Sequence, residues 1–151
     1  MKRFVFTLQP VLEHRKRNED EKQQVVAARL RELEESEAAL KGLNDEFKAN
    51  SDMLRASHKG LDAESLRRHY AHGQFLDRCI VAQIRVVAER RVALERARGE
   101  LLTATKERKV VDKLKERRYQ AHRAEEQRIE QNELDDGNAR RYGRRTAGGL
   151  S

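Results

Sequence analysis

The sequence predicts an all-α protein, two long helices folded back once into an antiparallel coiled-coil hairpin. Three observations carry that expectation. First, Val26, Leu33, Leu40, Phe47, Leu54 and Leu61 recur one heptad apart. A seven-residue apolar repeat makes one narrow stripe, the seam of a coiled coil and not the broad face of a globular helix. Second, the 151 residues are 39% charged, 37% hydrophobic and 5% aromatic, with one proline and no tryptophan. That composition fits long helices, and the phased stripe speaks against disorder. Third, a second heptad series, Ile80, Val87, Leu94 and Leu101, lies where a returning helix would bring it against the first.

The elements follow in order. Thr7 can cap a first helix, with Pro10 in its first turn, where the missing N–H costs nothing. The expected span is about 8–58. Its stripe is interrupted by Asn18-Glu19-Asp20-Glu21-Lys22-Gln23-Gln24, which holds no apolar residue. A second row read through Leu30, Glu37, Asn44, Ser51 and His58 is poor, so one long partner must complete the core. Gly60 suits a helix stop and Asp62 a new cap, which places the turn at about 59–62. A competing turn at His72-Gly73 is less favoured, because Leu66, Tyr70 and Phe75 can carry a stripe across Gly73.

The second helix is expected over about 63–139, with Ile84 beside its stripe. A step from Leu101 to Ala104, Val111 and Leu114 reads as a stutter, which locally unwinds a supercoil. Residues 140–151 read as a mobile basic tail. At ~1.5 Å per residue the helices would be roughly 75 Å and 115 Å long. The turn sets a register in which paired residue numbers sum to about 122. Leu33 then meets Val87, Val26 meets Leu94, Phe47 meets Phe75, and Leu8 meets Leu114. The polar gap falls opposite Arg98–Ala104, where a loose layer around Leu101 and Leu102 is expected. The hairpin, 1–139, forms one domain in this reading.

The formal net charge of +7 is unevenly spread. Residues 85–118 hold twelve basic and six acidic side chains; 119–139 hold two and six; 140–151 hold four and none. Mixed signs at helical spacing usually mark a solvated face. Glutamates throughout the basic block, with no aromatics between them for base stacking, weigh against nucleic acid as the partner. No stretch approaches the ~20 apolar residues of a membrane span. With one cysteine, no internal disulfide can form, which fits a reducing, cytoplasmic setting.

Candidate chemistry is sparse. No catalytic constellation, glycine-rich phosphate loop or cofactor motif is present, so a non-enzymatic role is expected. His69 and His72 share a helix face, but nothing nearby completes a metal site. Cys79 reads as a seam residue, with no base to activate it. Tyr70, Phe75 and Phe47 could form an exposed aromatic patch or pack near the hairpin tip. Phe6 could staple onto Val11, whereas Phe4, beside Lys2 and Arg3, is expected to be exposed. Exposed aromatics beside basic residues suggest a protein partner at the terminal end.

The residues Phe4-Val5-Phe6-Thr7-Leu8-Gln9-Pro10-Val11-Leu12-Glu13-His14-Arg15 resemble the opening of the flagellar export protein FliJ family. That family starts with an aromatic-x-aromatic-x-Leu run followed by Leu-Glu-x-Arg. Glu107-Arg108-Lys109-Val110-Val111-Asp112-Lys113-Leu114-Lys115-Glu116-Arg117-Arg118 is similar to its charged Lys-Leu-Lys-Glu block. Glu133-Leu134-Asp135-Asp136 resembles its late Leu-Asp-Glu element, with Asp136 in place of Glu. The resemblance implies a rod like the central stalk of rotary ATPases, without cofactor or catalysis of its own. It would sit in a hexameric flagellar export ATPase, promote ring assembly and activity, connect the ring to the membrane export gate, and take part in handling export chaperones. The protein would then be cytoplasmic, held at the inner membrane only through the export apparatus. Carried onto this chain, Phe4, Phe6, Leu8, Val11, Leu12 and Arg15 would meet the ring. Val111, Leu114, Arg117 and Arg118 would join them. Leu40, Leu43, Phe47, Phe75 and Cys79 are candidates for the gate. The equivalent stalk protein of a virulence type III secretion system is the nearest alternative. A nucleic-acid-binding coiled coil and a generic dimeric scaffold are the others.

Overall fold

A computed structural model describes residues 3–56, 60 and 62–149. Two helices account for nearly all of them, α1 (Gln9–Ala56) and α2 (Ala63–Ala147), packed against each other as the sequence predicts. Of the expected turn, only Gly60 and Asp62 are described; seam residue Leu61 and His58 lie outside. Gly73 sits inside α2, so the competing turn does not form. The expected tail is also revised: α2 continues eight residues past 139, to Ala147. Gly143 slows no further propagation there, since a single helical glycine costs only ~1 kcal/mol against Ala.

The helix starts differ in their caps. Asp62 accepts a hydrogen bond from the Ser65 N–H at 3.1 Å, a side-chain cap at the head of α2. The Ser65 hydroxyl first, and this N–H second, hold the Asp62 carboxyl below its usual pKa. Thr7 makes no such cap. Its hydroxyl instead accepts from Arg118 at 3.3 Å, while the Gln9 N–H bonds the Phe6 carbonyl at 3.1 Å.

Packing divides the chain into two compact units, one of residues 18–104 and one of residues 1–17 with 105–151. In the 18–104 unit the two helices run antiparallel in the predicted register. Lys22 pairs with Glu100 at 3.3 Å and Glu32 with Arg90 at 3.1 Å. Leu33, Val87 and Leu94 form the buried centre, with Val26 and Leu40 packed against it.

The second seam row of α1 is not the one read from the sequence. Residues facing α2 beside Val26, Leu33, Leu40, Phe47 and Leu54 are Lys22, Arg29, Ser36, Leu43 and Asn50, all buried or half-buried. Each lies four residues before a stripe member, where the row through Leu30 lies four after. Leu30 itself is exposed.

On α2 the inward rows are Gly73, Ile80, Val87, Leu94 and Leu101, with Leu76, Gln83, Ala97 and Ala104; Arg90, in register with the second row, is exposed and reaches Glu32. Ala104 follows Ala97 by one heptad, so the step from Leu101 is ordinary alternation between two rows and no stutter is needed. Ile84 is 53% exposed and Tyr70 63% exposed, both off the seam, whereas Leu76 is 2% exposed. Phe75 likewise does not meet Phe47 in the seam; it stacks on His72, ring centroids 6.5 Å apart.

Two polar layers are built into this seam. Ser36 is buried, donates to the Leu33 carbonyl at 2.8 Å, and its own carbonyl accepts from Gln83 at 2.9 Å. Asn50 is buried, donates to the His69 carbonyl at 3.1 Å and lies 3.3 Å from the His69 ring nitrogen Nδ1. Among the described residues no buried side-chain polar atom lacks a partner. Satisfied polar groups at seam positions select register and partner number, at a cost in stability. At the polar gap, Glu19 is buried and Lys22 reaches Glu100, so charged groups occupy the layer; Leu101 is half-buried and Leu102 is exposed.

Candidate functional site

The unit of residues 1–17 and 105–151 contains the terminal surface singled out in the sequence. Residues 3–6 precede α1 without regular secondary structure. Burial alternates along them: Phe4 and Phe6 are covered, whereas Val5 between them is 74% exposed. Phe6 is buried, with the Lys115 ammonium 6.0 Å and the Arg118 guanidinium 5.8 Å from its ring. Phe4 is half-buried, edge-on to Tyr119 at 5.3 Å and to His122 at 5.6 Å. Phe4 is therefore not the exposed aromatic that the sequence suggested. Phe6 packs on α2, and Val11, its expected staple partner, stays partly exposed.

Polar contacts fix this arrangement. Lys115 donates to the Gln9 side-chain oxygen at 2.9 Å, and Arg15 bonds Glu107 at 2.6 Å. Leu12 is 1% exposed and cannot touch a partner. Leu8, Val111 and Leu114 are half-buried; Arg117 and Arg118 are exposed. The side chains left for a partner are Val5, Val11, Val110 and the two arginines. Val5 and Val110 escaped sequence reading, although Val5 stands between the two covered aromatics. Tyr119 and His122 escaped it too, because the residues they cover lie over a hundred positions away.

In the other unit, Leu40, Leu43, Phe47 and Cys79 are half-buried in or beside the seam, and Phe75 is exposed. Phe47, Leu54, Tyr70, Gly73 and Asp77 help line an open groove of about 560 Å³. His72 lies 3.3 Å from Glu46, and His69 faces Asn50, so neither histidine waits for a metal. Among the described residues no group of three or more His, Cys, Asp or Glu could hold a metal ion. No helix among them is long and apolar enough to cross a membrane. These surfaces carry apolar side chains such as Val5, Val110 and Phe75 among exposed charged ones.

A family model described as flagellar FliJ protein matches residues 4–147. A solved structure of a proposed YscO homolog from Chlamydia trachomatis is similar at 23% identity and a TM-score of 0.46, covering 89% of this chain and 92% of that one. The curated proteins gave no match.

Proposed function

This chain belongs to the FliJ family of flagellar proteins, and we propose that it acts as a non-catalytic rod in flagellar type III protein export. In this reading it engages the hexameric export ATPase through the terminal unit and the membrane export gate through the groove-bearing unit. Contact with export chaperones belongs to the same role, and any membrane association comes through these partners.

The observation that supports the ring contact is the gathering of both sequence segments in one unit. The opening run and the charged block around Leu114 pack together, from Phe4 on Tyr119 to Arg15 on Glu107. Phe4, Phe6, Leu8, Leu12 and Arg15 shape that surface from within, as do Val111 and Leu114. Val5, Val11, Val110, Arg117 and Arg118 form its outside. Exposed arginines pair weakly with acidic loops, so such contacts can break and re-form through a catalytic cycle. For the gate, Phe47 and Phe75 near the groove are the strongest candidates, with Leu40, Leu43 and Cys79 behind them.

The test is a pull-down of the export ATPase, read together with stimulation of its hydrolysis. Val5→Asp/Val110→Asp should weaken binding at least about tenfold, ~1.4 kcal/mol, with helical content unchanged. Phe75→Ala should leave the ring contact intact and reduce gate capture. Unchanged ATPase binding by the double variant would remove the ring assignment. Rescue of a flagellar deletion, set against rescue of a virulence secretion deletion, separates the two branches of type III export.

A further inference from the structure

Beyond Glu126, every described residue of α2 is exposed, so the last six turns of the helix have no intrachain cover. Their charge is segregated. Residues 124–136 carry Glu125, Glu126, Glu130, Glu133, Asp135 and Asp136 against Arg128 alone. Residues 137–149 carry Arg140, Arg141, Arg144 and Arg145 with no acid at all. None of those four arginines forms an ion pair within the described residues, and neither Glu130 nor Glu133 does.

The segregation also has a face. Glu126, Glu130, Glu133, Gly137, Arg140 and Arg144 follow at spacings of four and three, the alternation of a coiled-coil seam. Aligned parallel with a copy of itself, this face sets glutamate on glutamate and arginine on arginine. Aligned antiparallel about Asp135, it sets Glu126 on Arg144 and Glu130 on Arg140, twice each by symmetry. Beside the axis Leu134, 63% exposed, meets its counterpart. Gly137 carries no side chain and no neighbouring atom would contact a Cβ there, so the backbones can approach.

We propose that the free protein pairs with a second copy of itself through this face of α2, antiparallel, and that the pairing is governed by salt. The contacts are exposed ion pairs with one apolar residue, each weak and strongly screened. The dimer is therefore a low-salt, high-concentration species, and it covers the end of α2 whenever it forms. The inference does not depend on the ATPase reading and uses no ATPase in its test.

Sedimentation of the full chain at ~20 mM and ~500 mM salt, up to roughly millimolar protein, decides it. A dimer at low salt should weaken at least about tenfold at high salt. Glu126→Arg/Glu130→Arg and Arg140→Glu/Arg144→Glu should each be monomeric alone. Mixed together, they should form a heterodimer, because every reversed charge then meets its opposite. A chain that stays monomeric at low salt, a dimer indifferent to salt, or a mixture that fails to associate while both variants remain helical, overturns the proposal. If a variant loses helix, the salt dependence of the unaltered chain still decides.

Discussion

Asn50 and Gly73 show how single residues set the seam. A Cβ built on Gly73 would lie 3.1 Å from the Asn50 side-chain nitrogen, which is held by the His69 carbonyl. A Cβ on Gly99 would meet nothing. In a helix Ala is favoured over Gly by up to ~1 kcal/mol. Gly99→Ala should therefore raise the urea midpoint by about that stability. Gly73→Ala should lower it, because the methyl crowds the Asn50 amide off the His69 carbonyl it donates to. Equal stabilisation by both would show that the Asn50 contact is unimportant. Nothing in the sequence marks Gly73 as different from Gly99. Its function comes from an amide 23 residues away on the other helix.

At the scale of the helix, the period was legible and the phase was not. Leu33, Val87 and Leu94 emerge from spacing alone because heptad apolar positions have one reason to recur. The second rows were misread because α2 carries apolar residues on two faces. Ile84, Val81 and Val92 point outward, while small or polar Gly73, Gln83 and Ala97 point inward. Hydrophobicity does not tell those faces apart; only the returning helix does. The same ambiguity produced the stutter and moved Phe75 into the seam. Burial predicts a contrast between two large aliphatic residues of α2. Leu76→Ala should cost about 2–4 kcal/mol, the usual cost of emptying a filled site. Ile84→Ala should cost under ~1 kcal/mol, since the side chain is already half in water. Thermal or chemical unfolding of the two variants measures both, and comparable losses would contradict the assigned face.

For the whole molecule, the sequence disclosed the hairpin, its register and its family from patterns that recur over the full length. The candidate site was legible only in outline. The opening aromatics and the later charged block were read from the sequence as one surface, but their packing on each other, Phe4 on Tyr119 and Phe6 beside Lys115 and Arg118, was not. Residues that meet across such separations leave no local mark. The polar layers were likewise hidden, since Ser36 and Asn50 look like solvated positions in a charged helix. Replacing Asn50 by a hydrophobe should test their purpose. Asn50→Leu removes a buried amide and adds apolar surface, so unfolding should shift to higher denaturant. It should also admit additional oligomers or registers, which light scattering and a broadened unfolding transition would report. A more stable variant that keeps a single species would show that the amide selects nothing.

Those layers bear on how such a rod could carry load. A slide of one heptad between the helices would set Asn50 against Leu76 or Asp62, away from His69. It would also part Ser36 from Gln83. Stranding the buried Asn50 amide costs about 1–3 kcal/mol, and the same slip also breaks the Gln83 bond to the Ser36 carbonyl. Axial creep is thus penalised at two heights at once, while bending leaves both layers joined. Under axial load this pair of helices should flex or part before it ratchets, so the spacing between residues on opposite helices is kept.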